Sequence, residues 1–362
     1  MQFKEAEARG RLPPFIFFLL LLDMKDSLFL RNCAGEVTSE KPVWMMRQAG
    51  RYLPEYREMR ARFPNFLDFV ADAEASAEAT VQPIRRFNLD AAILFSDILV
   101  TLPPLGLDLS FVSGRGPVVS NPIRTMQEVR SLTAFDSEKA LSYTRSAIEK
   151  TKQLLPSGTP LLGFVGGPLT IASYAIEGQS SKNLLNTKKL FHSDPSTYKA
   201  FLELMATITG KYLALQADWG CDALVIMDSW AGHLSAEDYR EMALPYTKTV
   251  MEIAKHAGKP IIHYANGASH LLKEILTLNA SAFGVDWRAD LPNVLADNPK
   301  TIFQGNLDPA LLFAPPSEIK RQTTEILNLV KDRAHIMNLG HGVLQGTPIE
   351  GVNTFIETIR NY

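Results

Sequence analysis

Short runs of apolar residues recur along the chain, and each run ends in glycine or in a polar residue. Eight such runs lie at residues 43–46, 91–95, 161–165, 223–227, 260–264, 282–285, 301–303 and 335–337. They are rich in Val, Ile, Leu and Phe and do not alternate strictly with polar residues. Near-continuous apolar runs are typical of strands that are buried on both faces. The pattern therefore predicts eight buried strands.

Segments with helical periodicity separate these runs. Residues 137–155 place their apolar positions on one stripe, which predicts a helix, and Asp194 followed by Pro195 is typical of a helix start. Strands that alternate with helices indicate parallel crossover units, and eight of them predict an α/β fold, a single-domain (β/α)8 TIM barrel. An open doubly wound sheet is the alternative, but it favours a G-x-G-x-x-G turn after the first strand, and that turn does not occur.

The segment 103–122 departs from the alternation. Residues 107–112 and 118–119 are apolar or strand-forming, and they flank the turn sequence SGRG at 113–116. This arrangement predicts an antiparallel hairpin inserted after the second strand.

Residues 1–25 form an N-terminal extension that we set apart from the barrel at 26–362. The run FIFFLLLL at 15–22 is shorter than the roughly 20 apolar residues that a membrane span needs, so no stable membrane insertion is expected. It has the length of the apolar part of a signal peptide, and Arg9 and Arg11 precede it. A targeting segment, an apolar extension that docks on the barrel, and a true start at Met24 remain open.

Composition narrows the class of protein. The 362 residues contain 37 Lys plus Arg and 39 Asp plus Glu, which gives a net charge of −2. A balance this close to zero argues against a generally cationic nucleic-acid binder. Two cysteines, Cys33 and Cys221, are too few for a disulfide framework or a four-thiolate zinc site.

Polar residues and glycines follow the predicted strands. In a (β/α)8 barrel the active site lies at the carboxyl ends of the strands, so these residues are the first candidates for a site. They are Arg47, Asp97, Gly166, Ser229, Asn266, Asp286, Asn306 and His341.

The first strand end is rich in arginine. Residues 44–62 contain five arginines and two glutamates, a local balance of +3. Arginine binds carboxylate or phosphate through two parallel hydrogen bonds, so Arg47 and Arg51 predict an anionic ligand. Arg57 and Arg62 fit a solvated helix face.

Asp97 follows the apolar run 91–95. Burial would raise the pKa of an isolated carboxyl there, so the side chain either meets cationic or N–H partners or caps the next helix. His341 lies between two glycines, which let a ligand or another backbone approach closely. His263 lies inside a predicted strand and is interpreted as a core residue with its hydrogen bonds satisfied.

Several segments resemble the uroporphyrinogen decarboxylase family. PVWMMRQAGRYLPEY at 42–56 resembles its N-terminal motif, and GFVGGPLTIASYAIEG at 163–178 is similar to its second motif. FSDIL at 95–99, QGNLDP at 304–309 and NLGHG at 338–342 also match. The resemblance runs from about residue 27 to the C-terminus, and the residues of the second motif resemble those of plastid-type members.

The resemblance implies an enzyme that removes the carboxyl groups of four acetate side chains of uroporphyrinogen, giving coproporphyrinogen for haem and chlorophyll synthesis. It also implies a homodimer without cofactor or metal, in a plastid or else in the cytoplasm. Catalytic roles fall on Asp97, Arg47 and Tyr174. Substrate contacts fall on Arg47, Ala49, Arg51, Arg60, Asp97, Tyr174, Ser229 and His341.

The chemistry fits these residues. The substrate carries eight carboxylates, so a local cluster of arginines matters more than net charge. Protonation of a pyrrole carbon makes the ring itself an electron sink, and the Asp97 carboxylate is expected to accept the pyrrole N–H groups and to stabilise the positive charge. Arg47 and Arg51 are expected to bind the carboxylates, and the proton donor is left open.

Two other functions compete with this one. A methyltransferase of the same superfamily binds zinc through His-x-Cys after the fifth strand, where this chain has His263, Tyr264 and Ala265. A tetrapyrrole-binding protein without catalysis shares the motifs, and turnover separates the two. The chain departs from the family at Gly167 and Leu169, where members often carry Ala and an aromatic residue.

Overall fold

A computed structural model describes residues 27–112 and 114–362 of the chain. The N-terminal extension 1–25 lies outside the described residues, so the predictions made for it stay predictions. Among the described residues, no helix is long and apolar enough to cross a membrane.

Seven of the eight apolar runs form one parallel sheet. Its strands, which pair in chain order, are β1 Ala92–Ile93, β4 Leu161–Gly166, β5 Ala223–Asp228, β6 Ile261–Ala265, β7 Ala282–Gly284, β8 Phe303–Gln304 and β9 His335–Ile336. β2 Leu109–Val112 and β3 Gly116–Val119 form the predicted antiparallel hairpin.

The first apolar run closes the sheet. Val43 forms a parallel bridge with Met337, just beyond β9, and the Met337 N–H donates to the carbonyl of Pro42 at 2.8 Å. On the other side, the N–H of Asp90, just before β1, donates to the Val43 carbonyl at 2.9 Å. The run thus takes the eighth strand position, although it pairs through a single bridge. The predicted (β/α)8 barrel is confirmed.

Side chains fill the barrel and its outer layer separately. The interior contains a buried apolar cluster that includes Trp44, Ile93, Phe164, Val225, Tyr264 and Ile336. Alternate strand residues such as Leu224 and Ile226 point outward and join the larger cluster between sheet and helices. Because both faces of the strands are covered, the strands have no polar face, as the near-continuous runs predicted.

Sixteen α-helices lie among the described residues. They are α1 Leu28–Cys33, α2 Pro54–Arg60, α3 Phe66–Ala71, α4 Ala73–Phe87, α5 Met126–Ser131, α6 Ser137–Ala140, α7 Ser142–Leu154, α8 Pro168–Glu177, α9 Leu185–Ser193, α10 Pro195–Asp218, α11 Ala236–Met242, α12 Leu244–Lys255, α13 Leu272–Leu276, α14 Leu291–Asp297, α15 Pro316–Val330 and α16 Ile349–Arg360.

The helix starts show where local sequence decides structure. The Asp194 side chain accepts from the N–H of Thr197, and Pro195 is the first residue of α10, as predicted. The prediction of one helix over 137–155 was wrong, because the helix is interrupted at Leu141. Leu141, whose side chain is fully buried in the core, lies between the two helices with a φ of −111° and a ψ of 23°.

Candidate active site

Two loops at the carboxyl end of the barrel are joined to each other, one after the first apolar run and one after β9. The N–H of Val343 donates to the Met46 carbonyl at 2.9 Å, and the Met46 N–H donates to the Asn338 side chain at 3.4 Å. Asn338 is completely buried. These bonds place Arg47, the residue after Met46, beside the loop that carries His341.

Arg47 adopts a backbone conformation that is rare for a residue with a side chain. Its φ is +59°, in the left-handed region. A Cβ on Gly342 would lie 2.5 Å from Cδ of Arg47, so the arginine side chain crosses directly over that glycine. The absence of a Cβ at Gly342 is therefore what lets the Arg47 side chain lie against the His341 loop.

The His341 ring is held in one tautomer by a hydrogen bond, and its pKa is lowered. Its Nδ1 accepts a hydrogen bond from the N–H of Gly342 at 2.6 Å, so the proton of the neutral ring is assigned to Nε2. Burial, together with the positive charges of Arg47 and Arg288, lowers the pKa of His341 to about 4. At neutral pH the ring is uncharged and presents an N–H donor.

Asp97 lies in the turn that follows β1. One carboxylate oxygen accepts from the N–H of Leu99 at 2.8 Å, so the side chain orders its own turn. Burial raises the pKa of Asp97 to about 6, and the Leu99 hydrogen bond and the charge of Arg47 oppose this rise. The carboxyl is thus mostly ionised at neutral pH, and the Leu99 N–H is its one hydrogen-bond donor among the described residues.

Tyr174 shares this electrostatic environment. Burial, with the charge of Asp97, raises the pKa of Tyr174 to about 12, so the phenol stays protonated and is a hydrogen-bond donor. Its ring packs against Trp230, with ring centroids 4.1 Å apart. Asp97, Arg47, Tyr174 and His341 are therefore electrostatic neighbours at one end of the barrel, because the Arg47 charge also affects the pKa of the other three.

Residues that the sequence did not single out hold Tyr174 in place. Thr170 lies one helical turn before Tyr174 on α8 and donates to the Asp228 carboxylate at 2.6 Å. The Thr170 hydroxyl also accepts from the N–H of Trp230. Asp228 is the last residue of β5, so these bonds fasten the start of α8 to the strand end that carries Ser229 and Trp230. In the sequence, the only indication of these bonds is that a polar residue, Asp228, precedes Ser229.

Asp228 also leaves no room for a side chain on Gly167. A Cβ on Gly167 would lie 2.7 Å from Cγ of Asp228, so an alanine there would collide with the carboxylate. Asp228 is fully buried, and its second carboxylate oxygen has no hydrogen-bond partner among the described residues. Burial raises the pKa of Asp228 to about 6.

The other predicted substrate-binding residues lie nearby without direct contact to Asp97 among the described hydrogen bonds. Arg51 is exposed, and its guanidinium donates to Gln345 at 3.3 Å, in the loop that carries His341. Arg60 donates to the carbonyl of Phe63 at 2.7 Å. Ala49 and Ser229 are half-buried.

Two polar residues at strand ends have structural partners. The amide of Asn306 donates to the carbonyls of Asp286 and Ala289, and the Asp286 carboxylate accepts from the N–H groups of Gly267 and Arg288. Both side chains thus order the loops after β6, β7 and β8. Asn266 is half-buried and lies beside the Tyr264 hydroxyl.

His263 was misinterpreted in one respect. It is a buried residue of β6, as expected, but neither ring nitrogen has a hydrogen-bond partner among the described residues. Its neighbours in the strand point into the barrel, so His263 points into the apolar layer under the helices. Burial lowers the pKa of His263 to about 4, so the ring is neutral.

Both thiols are buried away from this end of the barrel. Cys33 ends α1, which packs against β9, and Cys221 precedes β5 at the amino end of that strand. Among the described residues, no group of three or more His, Cys, Asp or Glu side chains is placed to hold a metal ion.

A family model and the curated relatives agree on one family. The family model for uroporphyrinogen decarboxylase matches residues 24–362. Uroporphyrinogen decarboxylases of Chloroflexus aggregans and Roseiflexus sp. are 43% and 41% identical; both matches cover 94% of this chain, and they cover 96% and 99% of those proteins. The enzyme of the same name from Prochlorococcus marinus is 38% identical over 91% of this chain and 96% of its own length.

Solved structures show the same fold at low sequence identity. A methyltransferase from Methanosarcina mazei superimposes with a TM-score of 0.79 at 16% identity, covering 93% of this chain and 98% of that chain. A B12-independent methionine synthase from a Shewanella species gives 0.54 at 9% identity, covering 80% and 85%. These likenesses support the barrel architecture and carry no argument about activity.

The buried Asp228 carboxyl predicts a specific pH dependence of stability. Its pKa is near 4 in the unfolded chain and about 6 in the folded protein. Because the folded protein holds this proton more tightly, the free energy of unfolding falls as pH rises from about 4 to about 6. Asp228→Asn keeps an oxygen to accept from Thr170 and removes the charge. Relative to the wild type, the variant should gain up to about 3 kcal/mol in the free energy of unfolding between pH 4 and pH 8.

Urea denaturation of both proteins at the two pH values measures this gain. Asp97 titrates in both proteins, so its contribution cancels in the difference. An equal difference in unfolding free energy at pH 4 and pH 8 would show that folding does not change the protonation of Asp228.

Proposed function

The chain belongs to the uroporphyrinogen decarboxylase family, and we propose that it performs this decarboxylation with Asp97 as the residue that stabilises the charge formed on the pyrrole ring. The protein is a carboxy-lyase of tetrapyrrole biosynthesis. Its reaction converts the four acetate side chains of uroporphyrinogen to methyl groups and gives coproporphyrinogen. The observation that carries the proposal is a half-buried carboxylate with a raised pKa at the carboxyl end of the barrel, beside a guanidinium and a phenol.

Each decarboxylation has to place an electron pair. A proton adds to a pyrrole carbon, which leaves positive charge on the ring nitrogen. The bond between the acetate CH2 and its carboxylate then breaks, CO2 leaves, and the electron pair forms an exocyclic double bond and neutralises the nitrogen. A proton added to the exocyclic carbon makes the methyl group, and loss of the first proton restores the pyrrole. The ring acts as the electron sink, so the proposed reaction needs no cofactor.

Asp97 suits the charged intermediate. Its carboxylate is ionised at neutral pH at an energetic cost, because burial raises its pKa to about 6. Pyrrole N–H groups supply the donors that this carboxylate otherwise lacks. Their bonds strengthen when the ring becomes positive, so the interaction favours the transition state over the ground state. The low polarity around Asp97 thereby contributes to catalysis.

The surrounding side chains then bind and position the substrate. Arg47 and Arg51 lie on the same side of the barrel mouth and are proposed to bind acetate and propionate carboxylates through paired N–H donors. Neutral His341 donates from Nε2, and the Tyr174 phenol donates from its hydroxyl. Arg60, Ser229 and the backbone of Ala49 are proposed to contact the periphery of the ring.

Two competing functions have less support. A binding protein without turnover would not need a carboxylate that is ionised at an energetic cost. A zinc-dependent methyltransferase would need a thiolate at the mouth of the barrel, and both cysteines of the chain are buried elsewhere.

Assembly and location are further proposals. We propose a homodimer, as in the family that the sequence resembles, and a plastid address carried by residues 1–25, with the cytoplasm as the alternative. Sedimentation analysis gives the oligomeric state, and fractionation of cells that express the chain with a C-terminal tag gives the location.

Anaerobic incubation with uroporphyrinogen tests the function directly. Products with seven, six, five and four carboxylates should appear in sequence without added cofactor or metal. Tight binding of uroporphyrinogen with no loss of carboxyl groups would contradict the proposed activity and favour the binding protein.

Asp97→Asn tests the role of the carboxylate. The neutral amide cannot stabilise a developing positive charge, so kcat should fall by on the order of 10²–10³-fold. In the wild type, kcat/KM should fall below pH about 6 as Asp97 becomes protonated, and the variant should lose this dependence. Steady-state rates between pH 5 and 8 measure both effects. A variant with near-normal kcat would remove Asp97 from the mechanism.

Arg47→Lys tests carboxylate binding at the mouth of the barrel. Lysine keeps the charge but loses the planar pair of donors, so KM should rise about ten-fold. Arg62→Lys is the control, because Arg62 is exposed on the same arginine-rich segment. Similar kinetic constants for the two variants would show that the donor geometry of Arg47 is not used.

A further inference from the structure

A second guanidinium lies at the carboxyl end of the barrel, on an element remote in sequence from the arginines at 47–62. Arg288 follows Trp287 in the loop after β7, and the central carbon of its guanidinium lies over the Trp287 indole, 3.9 Å from the ring centroid. Such an arrangement is stabilised by the attraction between the cation and the face of the ring. The arginine therefore has a defined orientation although its side chain is exposed.

One buried carboxylate anchors both ends of this arginine. Oδ1 of Asp286 accepts from the Arg288 backbone N–H at 2.8 Å, and Oδ2 accepts from Nη1 at 3.0 Å. The Asp286 side chain is 1% exposed, whereas that of Arg288 is 52% exposed. Nη1 is thus occupied, and Nε and Nη2 have no hydrogen-bond partner among the described residues.

The environment of His341 connects Arg288 to the candidate site. The Trp287 ring meets the His341 ring edge-on, with centroids 6.3 Å apart. The positive charges of Arg47 and of Arg288 both act on the His341 ring. Arg47 lies against the adjacent Gly342 and Arg288 lies over Trp287, so a guanidinium group is found at each of two neighbours of the histidine.

We propose that Arg288 is a further substrate-binding residue, whose Nε and Nη2 donors bind one peripheral carboxylate of the tetrapyrrole. The proposal rests on the proposed function, because it assigns part of that substrate to a new position. A guanidinium that is already oriented loses little side-chain freedom when it binds a carboxylate, which favours affinity.

A purely structural role is the competing explanation, since Arg288 also neutralises Asp286. The chain offers a matched control for that role. Arg240 on α11 has a side chain that is 53% exposed and donates from Nη1 at 2.7 Å to Glu274, whose side chain is 12% exposed. Both arginines are half-exposed and paired with a well-buried carboxylate, but only Arg288 neighbours the candidate site.

The experiment compares Arg288→Lys and Arg288→Met with Arg240→Lys and Arg240→Met in the full chain. We expect Arg288→Lys to raise KM for uroporphyrinogen about three- to ten-fold and Arg288→Met to raise it further, because the paired donors and then the charge are lost. kcat should stay within about three-fold, and the Arg240 variants should match the wild type. Thermal unfolding of all four variants reports any loss of structure, and the lysine variants keep a cation beside each carboxylate.

A binding measurement separates this proposal from the proposed function. Coproporphyrinogen, the product with four carboxylates, is titrated anaerobically while tryptophan fluorescence is recorded, which gives Kd without turnover. Weaker binding of both ligands by Arg288→Lys would assign a propionate to Arg288, and a rise in KM for uroporphyrinogen alone would assign an acetate. A wild type that binds without decarboxylating would overturn the activity and leave the Arg288 comparison intact. Equal constants for the Arg288 and Arg240 variants would overturn the role of Arg288.

Discussion

Closing the barrel brings together residues from opposite ends of the chain. Met46 and Asn338 are 292 positions apart, yet the Met46 N–H donates to the Asn338 side chain, and Val43 pairs with Met337. This closure sets the loop after the first apolar run beside the loop after β9. Without it, Arg47 would not lie over Gly342, and the guanidinium, the imidazole and the Asp97 carboxylate would not share one electrostatic environment.

Two carboxyls at this end of the barrel have raised pKa values and different surroundings. Burial raises the pKa of Asp97 and of Asp228 to about 6. Asp97 lies in the turn after β1, where it is proposed to accept from the pyrrole N–H groups. Asp228 is completely buried and accepts from Thr170. In the proposed function, a similar electrostatic cost therefore serves chemistry at Asp97, whereas at Asp228 it accompanies the bonds that hold α8 to the end of β5.

Local patterns predicted the architecture better than they predicted the supports of the site. Apolar runs reveal buried strands because burial acts on every residue of a strand, and the strand ends then indicated Arg47, Asp97 and His341. The bond between Thr170 and Asp228 joins residues 58 positions apart, so no local pattern encodes it. The broken helix at Leu141 and the unpaired ring of His263 likewise follow from tertiary packing, which a periodicity does not contain. The segments that resemble the family motifs contain the other residues proposed to bind the substrate, such as Arg47, Asp97 and His341, but they do not contain Arg288.

The pairing of the first and last apolar runs also bears on biosynthesis. A chain that has left the ribosome only as far as β8 is an open sheet with two unpaired edges, because β9 and Met337, the partner of Val43, have not yet emerged. Contacts of such long sequence separation form late, since the entropy of the intervening chain opposes them until the rest is ordered. A nascent or C-terminally truncated chain is therefore exposed to edge-to-edge association, and the pairing that removes its open edges is the same pairing that places Arg47 beside the His341 loop.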